Sequence, residues 1–300
     1  MIFKQAKAFV KLLHFCKNRV KMYLLVEYLK GLVWIFANDE ERSGQKLKSF
    51  LLWSYLTAIA LLDRLKIFRA KKIRVRGFTI AFDNYLDFYL MFSEIFLKQV
   101  YLFRADGEKP FIIDAGSNIG MATLYFKSVY PQSEIICFEP GPEAFARLQS
   151  NIALNSFKDV TAHNLAIMDR EGSITFYVHP DRPGHQGMAF IPDQEGIRSK
   201  KIEVKSVPLS GYITRPVDLL KLDVEGAEEM VINELVQSNK LALVRQIVLE
   251  YHLHIIDQGD LPGFLKTLSQ AGFKWQIHTE IAPVTKKREP PGIFIHAFKK

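Results

Sequence analysis

The chain has little cysteine: two residues in 300, Cys16 and Cys137, in separate segments. That excludes a disulfide framework and favours a reducing compartment. Long apolar runs are lacking too. The main candidate, Phe50 to Leu62, spans thirteen residues, whereas a bilayer needs roughly 20. The N-terminus alternates Lys with apolar residues and has no small-residue cleavage site, so no secretory leader is expected. Acidic residues are scarce at one end. Residues 1–80 hold 17 Lys and Arg against 5 Asp and Glu, a charge of +12, whereas the remaining 220 carry −4. The basic end is therefore a feature apart from the rest. Two phosphate-binding patterns are also missing. No G-x-x-x-x-G-K-[ST] run occurs, and the chain's glycine loop lacks the middle glycine of G-x-G-x-x-G. A P-loop and a dinucleotide-binding oxidoreductase are both disfavoured.

What is present is an apolar run, Phe111 to Ile113, that ends in Asp114 and enters a loop carrying Gly116, Asn118 and Gly120. A helix-like run follows from Met121 to Tyr130. A second β-rich run, Ile135 to Phe138, then delivers Glu139, nineteen residues beyond Gly120. Loop glycines let backbone approach a ligand where a side chain would collide. Ligands of open parallel sheets bind beyond the carboxyl ends of the strands. Asp114, the loop and Glu139 should therefore converge on one crevice. A loop headed by an acid and lacking a phosphate pattern suits a ligand with a cationic amine. S-adenosylmethionine fits, with Glu139 on the ribose hydroxyls and the ammonium near the carboxylate-rich end.

The pattern predicts helices over most of residues 1–72, a hairpin from Ile73 to Phe82 around Gly77, and a lead-in helix from Tyr85 to Tyr101. Strands at 112–114, 135–139, 160–166, 217–224 and 243–251 alternate with helices at 142–155, 227–236 and 261–271. Ser173–Val178 should add a strand through a hairpin at Glu171-Gly172, and Lys201–Val207 is a further β stretch. Lys274–Thr279 and Ile293–Phe298 read as a closing antiparallel pair. Such alternation implies an α/β fold whose mostly parallel sheet is covered on both faces. The expected division is a basic helical region at 1–72 and a catalytic domain at 73–300. Asn164 and Ala166, after the third strand, should lie near the adenine. The Gly/Pro-rich segment from His179 to Lys200 suits a lid over the acceptor or a surface loop.

The chemistry should sit at the run Lys221-Leu222-Asp223-Val224-Glu225-Gly226. Residues two apart on a strand share a face, so Asp223 and Glu225 can converge at its tip. Asp223 is the first candidate for base or orienter and Glu225 the second. N-capping is the competing role for both. Glu228 reads as a first-turn charge meeting the helix dipole, and Lys221 as a salt-bridge partner or a catalytic group. His252 is a third candidate base, with a pKa suited to neutral operation and a structural role as the alternative. His254 is a weaker one. A metal held by Asp223, Glu250 and His252 is chemically conceivable, but nothing in the spacing requires it and none is assigned.

These residues resemble a known family, the FkbM-type class I SAM-dependent methyltransferases. The likeness rests on Asp114-Ala115-Gly116-Ser117-Asn118-Ile119-Gly120, Phe138-Glu139-Pro140, Asn164-Leu165-Ala166 and Leu219 to Glu228. Glu250-Tyr251-His252 adds to it, as do Glu94-Ile95-Phe96 and Tyr101 upstream. It covers roughly residues 73–300. The resemblance implies a Rossmann-like sheet with one reversed strand and S-adenosyl-L-methionine as cofactor. It also implies O-methylation of a hydroxyl on a glycan, glycolipid or secondary metabolite. An N-methyltransferase and a non-catalytic scaffold with a degenerate fold are the alternatives. For the basic N-terminal helices two readings stand: contact with anionic lipid, or a helical subdomain with solvated lysines. No nucleic-acid partner is expected, because the basic residues are interleaved with Leu, Phe and Trp that need burial. A cytoplasmic protein is the resulting expectation, with peripheral membrane contact through the N-terminal region left open.

Overall fold

The computed structural model describes residues 19–37, 43–178, 200–252, 259–279 and 293–299. Cys16, the expected lid at 179–199, His254 and the Lys286–Pro291 stretch lie outside the described residues. The chain forms two compact units, Met1–Lys71 with Tyr85–Gln99, and Lys72–Asn84 with Val100–Lys300.

In the smaller unit, helices α1 (Arg19–Ala37) and α2 (Ser43–Arg64) pack through a small-to-large fit. A Cβ at Gly31 would stand 2.3 Å from Trp53 Nε1. That indole N–H donates to Tyr28 O at 3.1 Å. Helix α3 (Tyr85–Phe92) continues as one π-helical turn, Ser93–Leu97. The lead-in helix thus ends short of Tyr101, and it belongs to the smaller unit rather than to the catalytic body. Its aromatic residues explain why. Trp53 stacks on Tyr89 with centroids 4.3 Å apart, and Tyr85 Oη donates to Leu56 O at 2.9 Å. Among the described residues no helix is long and apolar enough to cross a membrane.

The larger unit opens with a hairpin, β1 (Lys72–Val75) and β2 (Phe78–Ala81). Buried Asn151 clamps β2. It accepts from Ala81 N–H at 2.7 Å and donates to Ala81 O at 3.0 Å. The central sheet has seven strands: β3 (Phe111–Ala115), β4 (Glu134–Phe138), β5 (Val160–His163), β9 (Leu219–Leu222), β10 (Gln246–Tyr251), β11 (Lys274–Thr279) and β12 (Ile293–Phe298). Their order is β11-β12-β10-β9-β3-β4-β5. All neighbours are parallel except β12, which runs antiparallel to β10 and β11. Helices α4 (Met121–Val129), α5 (Pro142–Leu154), α6 (Glu228–Gln237) and α7 (Leu261–Gln270) connect the strands. Strands β3 and β9 are buried along their whole length, as strands covered on both faces must be. The chain leaves β3 toward β4 on one side and returns to β9 on the other. That reversal is where open α/β sheets bind ligands.

Two strand expectations change. The run from Val160 to Ala166 divides in two. β5 stays in the central sheet, while β6 (Ala166–Met168) joins β7 (Gly172–Val178) and β8 (Lys200–Pro208) in a three-stranded sheet of order β6-β8-β7. At the break, Asn164 Nδ2 donates to Glu139 O at 2.8 Å and Pro140 O at 2.9 Å. The Glu171-Gly172 turn does not pair its flanking strands. β7 pairs instead with β8 over its full length, because three-residue β6 offers far less edge than nine-residue β8.

Candidate active site

The loop after β3 is built from backbone that only particular residues tolerate. Gly116 has φ +82°, and a Cβ there would lie 1.7 Å from Asp223 O. The tips of β3 and β9 touch at this glycine. Gly116 and Ser117 both donate N–H to Phe138 O at 2.9 Å, which fixes the loop to β4. Asn118 is left-handed, with φ 49°, a conformation that Asn accepts better than most residues. Its Oδ1 accepts from Ile119 N–H at 2.7 Å. Gly120, φ +91°, opens α4.

Glu139 completes this rim. Its Oε2 accepts from Asn118 N–H at 2.8 Å and its Oε1 from Gly141 N–H at 2.7 Å. The side chain is buried. Burial pushes its carboxyl up to about 7, against the opposing pull of those two N–H groups. Each carboxylate oxygen can accept a second hydrogen bond, so the group still has acceptor capacity for a hydroxyl. Asn164 joins the rim through the backbone of Glu139 and Pro140. Ala166 begins β6 and is buried there, paired with Ser206.

The next layer is a chain of charges. Asp114 Oδ2 accepts from Thr123 Oγ1 at 2.7 Å. Its Oδ1 is buried without a hydrogen-bond partner, and the Lys221 ammonium stands 3.5 Å away. Lys221 also donates to Gly116 O at 2.5 Å and pairs with Asp223 Oδ2 at 3.2 Å. Tyr101 Oη donates to the same Asp223 oxygen at 3.2 Å. Burial works against the charge on Lys221, but Asp223 and Asp114 outweigh it and raise its pKa. Burial likewise works against the charge on Asp223. The Lys221 and His252 charges, with hydrogen bonds from Lys221 and Tyr101, hold its carboxyl below the usual range.

Beyond Asp223 lies a histidine ringed by acids. His252 Nδ1 meets Glu228 Oε1 at 2.9 Å. Its Nε2 lies 3.4 Å from Glu225 Oε2 and 3.9 Å from both Asp223 Oδ1 and Glu250 Oε1. Burial disfavours the imidazolium, yet Glu225, Glu228 and Glu250 raise its pKa well above the ordinary value. Glu228 is fully buried. It folds back to accept Gly226 N–H at 3.2 Å and Val224 N–H at 3.3 Å. Its work is thus to brace the loop and orient His252, more than to meet the helix dipole. Glu225 and Gly226 take φ values of 53° and 105°, which swing the loop back toward His252. Asp223, Glu225 and His252 each offer a ligand atom, all within 4.8 Å of one another, a donor set that several divalent ions accept.

The structure therefore brings Asp114, Gly116, Asn118, Gly120 and Glu139 together at one set of strand ends, with Asp223, Glu225 and His252 beside them. Phe138 is core, stacked on His163 and edge-on to Tyr212. Two contributors were not singled out for a role in the sequence, and a third was given a different one. Thr123 gave no signal beyond lying on the first turn of α4. Tyr101 stood only in the upstream likeness. Glu228 looked like an ordinary helix-start acid, and only its burial shows otherwise.

Comparison with known proteins identifies the family. Residues 114–275 match the family described as the Methyltransferase FkbM domain. "Methyltransferase 1" of Beauveria bassiana is 31% identical over 207 residues, 63% of this chain and 82% of that protein. The "31-O-demethyl-FK506 methyltransferase FkbM" of Streptomyces tacrolimicus is 28% identical over 211 residues, 59% and 79% of the two chains. The "2-O-methyltransferase NoeI" of Sinorhizobium fredii is 29% identical over 170 residues, 51% and 68%.

Proposed function

This chain belongs to the FkbM methyltransferase family, and from that premise we propose that it transfers a methyl group from S-adenosylmethionine to a hydroxyl of a glycan, glycolipid or secondary metabolite. That it is a SAM-dependent methyltransferase with a class I Rossmann-like sheet follows from its family and its strand order. The choice of oxygen as acceptor atom is the added step. The printed names of two relatives, which specify O-methyl positions, favour it.

One observation supports the reading most: Asp223, an ionised carboxylate, sits at the junction of the glycine loop and the acid-ringed histidine. The residues present fit the cofactor. The loop brings bare backbone to the strand ends, Glu139 keeps acceptor capacity for hydroxyls, and Asp114 Oδ1 is a buried acceptor without a hydrogen bond. When bound, S-adenosylmethionine supplies a methyl group on a sulfonium, already activated for in-line displacement. The chain's task is then to align the acceptor and take its proton.

Asp223 Oδ2 is held by Tyr101 and Lys221, which leaves Oδ1 to face the acceptor hydroxyl. With the cofactor in place, Asp223 Oδ1 would take the acceptor hydroxyl's proton as the methyl C–S bond breaks and the C–O bond forms, with S-adenosylhomocysteine as the leaving thioether, and would release that proton to solvent. His252, kept charged by its neighbours, is unsuited to accept that proton. It orients Asp223 across 3.9 Å. Glu225, whose Oε2 lies 3.4 Å from His252 Nε2, stands at the same strand ends and would lie near the acceptor.

Calorimetry with S-adenosylmethionine and S-adenosylhomocysteine tests the cofactor half. Both should bind, and Glu139→Ala should abolish the heat. Transfer of radiolabelled methyl to hydroxylated acceptors tests the rest. Asp223→Asn should lower kcat by about 10²–10⁴, the range of general-base catalysis, with cofactor affinity retained. Absence of cofactor binding would end the proposal. Label transfer to amines alone would replace O- with N-methylation.

A further inference from the structure

Helices α1 and α2 each have two apolar sides. One is buried, with Leu24, Gly31 and Ile35 on α1 and Trp53, Leu56 and Ile59 on α2. The other is open. Along α1, Val26, Leu29, Val33 and Phe36 are exposed, and their spacing of three, four and three residues places them on one line. Along α2, Leu47, Leu51, Tyr55 and Leu62 form a second exposed line. Leu65, Ile67 and Phe68 extend it past the helix end, with Ile67 70% exposed. Of 19 large apolar side chains exposed among the described residues, 11 fall between Val26 and Phe68. Scattered exposed apolar residues are normal, but a concentration of this kind marks an interaction surface.

Among the described residues, the exposed charges around these lines have one sign. Among the described residues before Lys72, the two acids are Glu27, buried beside Lys30, and half-buried Asp63. The charged side chains that are exposed there are Lys30, Lys48, Arg64, Lys66, Arg69 and Lys71. Arg64, Lys66 and Arg69 are interleaved with Leu65, Ile67 and Phe68. A protein partner would need an apolar groove rimmed by acids. A second copy would bring the same positive charges face to face, which opposes association. An anionic bilayer surface offers both complements at once: phosphates for the basic groups and an acyl boundary for the apolar lines. Among the described residues neither helix is long and apolar enough to cross a membrane, so the mode argued for is interfacial.

We propose that the α1–α2 unit docks this protein on anionic lipid, with the exposed apolar lines seated at the acyl boundary and the basic groups at the headgroups. The full chain is floated with vesicles of phosphatidylcholine alone and of phosphatidylcholine mixed with phosphatidylserine. It should partition to the mixed vesicles and not to the neutral ones, and salt should weaken the binding. Two variants separate the contributions. Val33→Gln with Leu51→Gln and Ile67→Gln removes apolar contacts, and Arg64→Gln with Lys66→Gln and Arg69→Gln removes charge. These side chains are exposed, so circular dichroism should match the wild type, while each variant partitions at least about tenfold less. Equal flotation of wild type with neutral and anionic vesicles overturns the proposal even if no variant folds. So does a wild-type dimer in light scattering that the apolar variant abolishes while vesicle binding stays unchanged.

Discussion

Asp114 and Lys221 stand opposite each other on adjacent parallel strands, and their charged groups meet at 3.5 Å in a site almost wholly closed to water. The ammonium also holds Gly116 O and Asp223. One buried cation thus ties together strand β3, the glycine loop and the tip of β9, and it balances two carboxylates. This is the element that couples folding of the sheet to formation of the site.

Lys221→Met should therefore cost about 3–5 kcal/mol, because it leaves buried carboxylates uncompensated. Adding Asp114→Asn should recover part of that loss, as coupled neighbours are non-additive. Urea unfolding of the two single variants and the double variant measures the coupling. Additive losses would show that the pair does not act as a unit.

Gly116 and Gly120 share a left-handed backbone but differ in what surrounds them. At Gly120 a Cβ would meet a flexible methyl, Leu148 Cδ1, at 2.8 Å. At Gly116 it would meet the Asp223 carbonyl at 1.7 Å. Gly120→Ala should cost about 1–2 kcal/mol, the penalty of the backbone conformation. Gly116→Ala should cost clearly more, and should also abolish cofactor binding by forcing the two strand tips apart. Thermal unfolding and calorimetry on both variants check the ranking.

The glycine loop, Glu139 and the strand-end acids were legible because each stands at a fixed place in the strand-turn-helix grammar. Parallel strands, buried on both faces, also announce themselves as apolar runs. What stayed hidden were partners set by long-range packing. Tyr101 reaches Asp223 across 122 positions, and no local pattern encodes that. The division of Val160–Ala166 was hidden for a similar reason: both halves read as β, and only the pairing partner differs. The membership of Tyr85–Gln99 in the smaller unit rests on Trp53 and Tyr89 finding each other, which periodicity does not specify. Glu228 was read in part: it does stand on the first turn of its helix, but its enclosure and its bond to His252 come from packing that the local pattern does not specify.

Glu139 makes stability depend on pH in a defined direction. Burial raises its folded-state carboxyl from 4.5 to about 7. Below 4.5 the group is protonated in folded and unfolded chains alike, with no effect. Between 4.5 and about 7 the folded state holds a proton that the unfolded state has released. Its contribution therefore falls as pH rises through that window, then stays low. Glu139→Gln should remove this slope. The difference between variant and wild-type unfolding curves, taken from pH 4.5 to 7.5, should shift steadily in the variant's favour. A flat difference would mean that the carboxyl titrates normally.

His252 decides whether the neighbouring acids work with a metal. A ligating imidazole must present a lone pair, so an ion entering between Asp223, Glu225 and His252 has to displace the ring's proton. Four carboxylates at 2.9–3.9 Å oppose that loss, and they raise the ring's pKa well above 6.5. The charged ring already satisfies the acids that would attract an ion. Methyl transfer should therefore be unchanged by EDTA or by added Mg²⁺. In NMR titrations the His252 ring should remain protonated through neutral pH. The charged ring's contribution to stability is complete below 6.5 and is lost as pH rises through its folded-state value, and His252→Gln should abolish that slope. Loss of activity in EDTA, restored by a divalent ion, would show instead that the proton gives way and that the acids serve a metal.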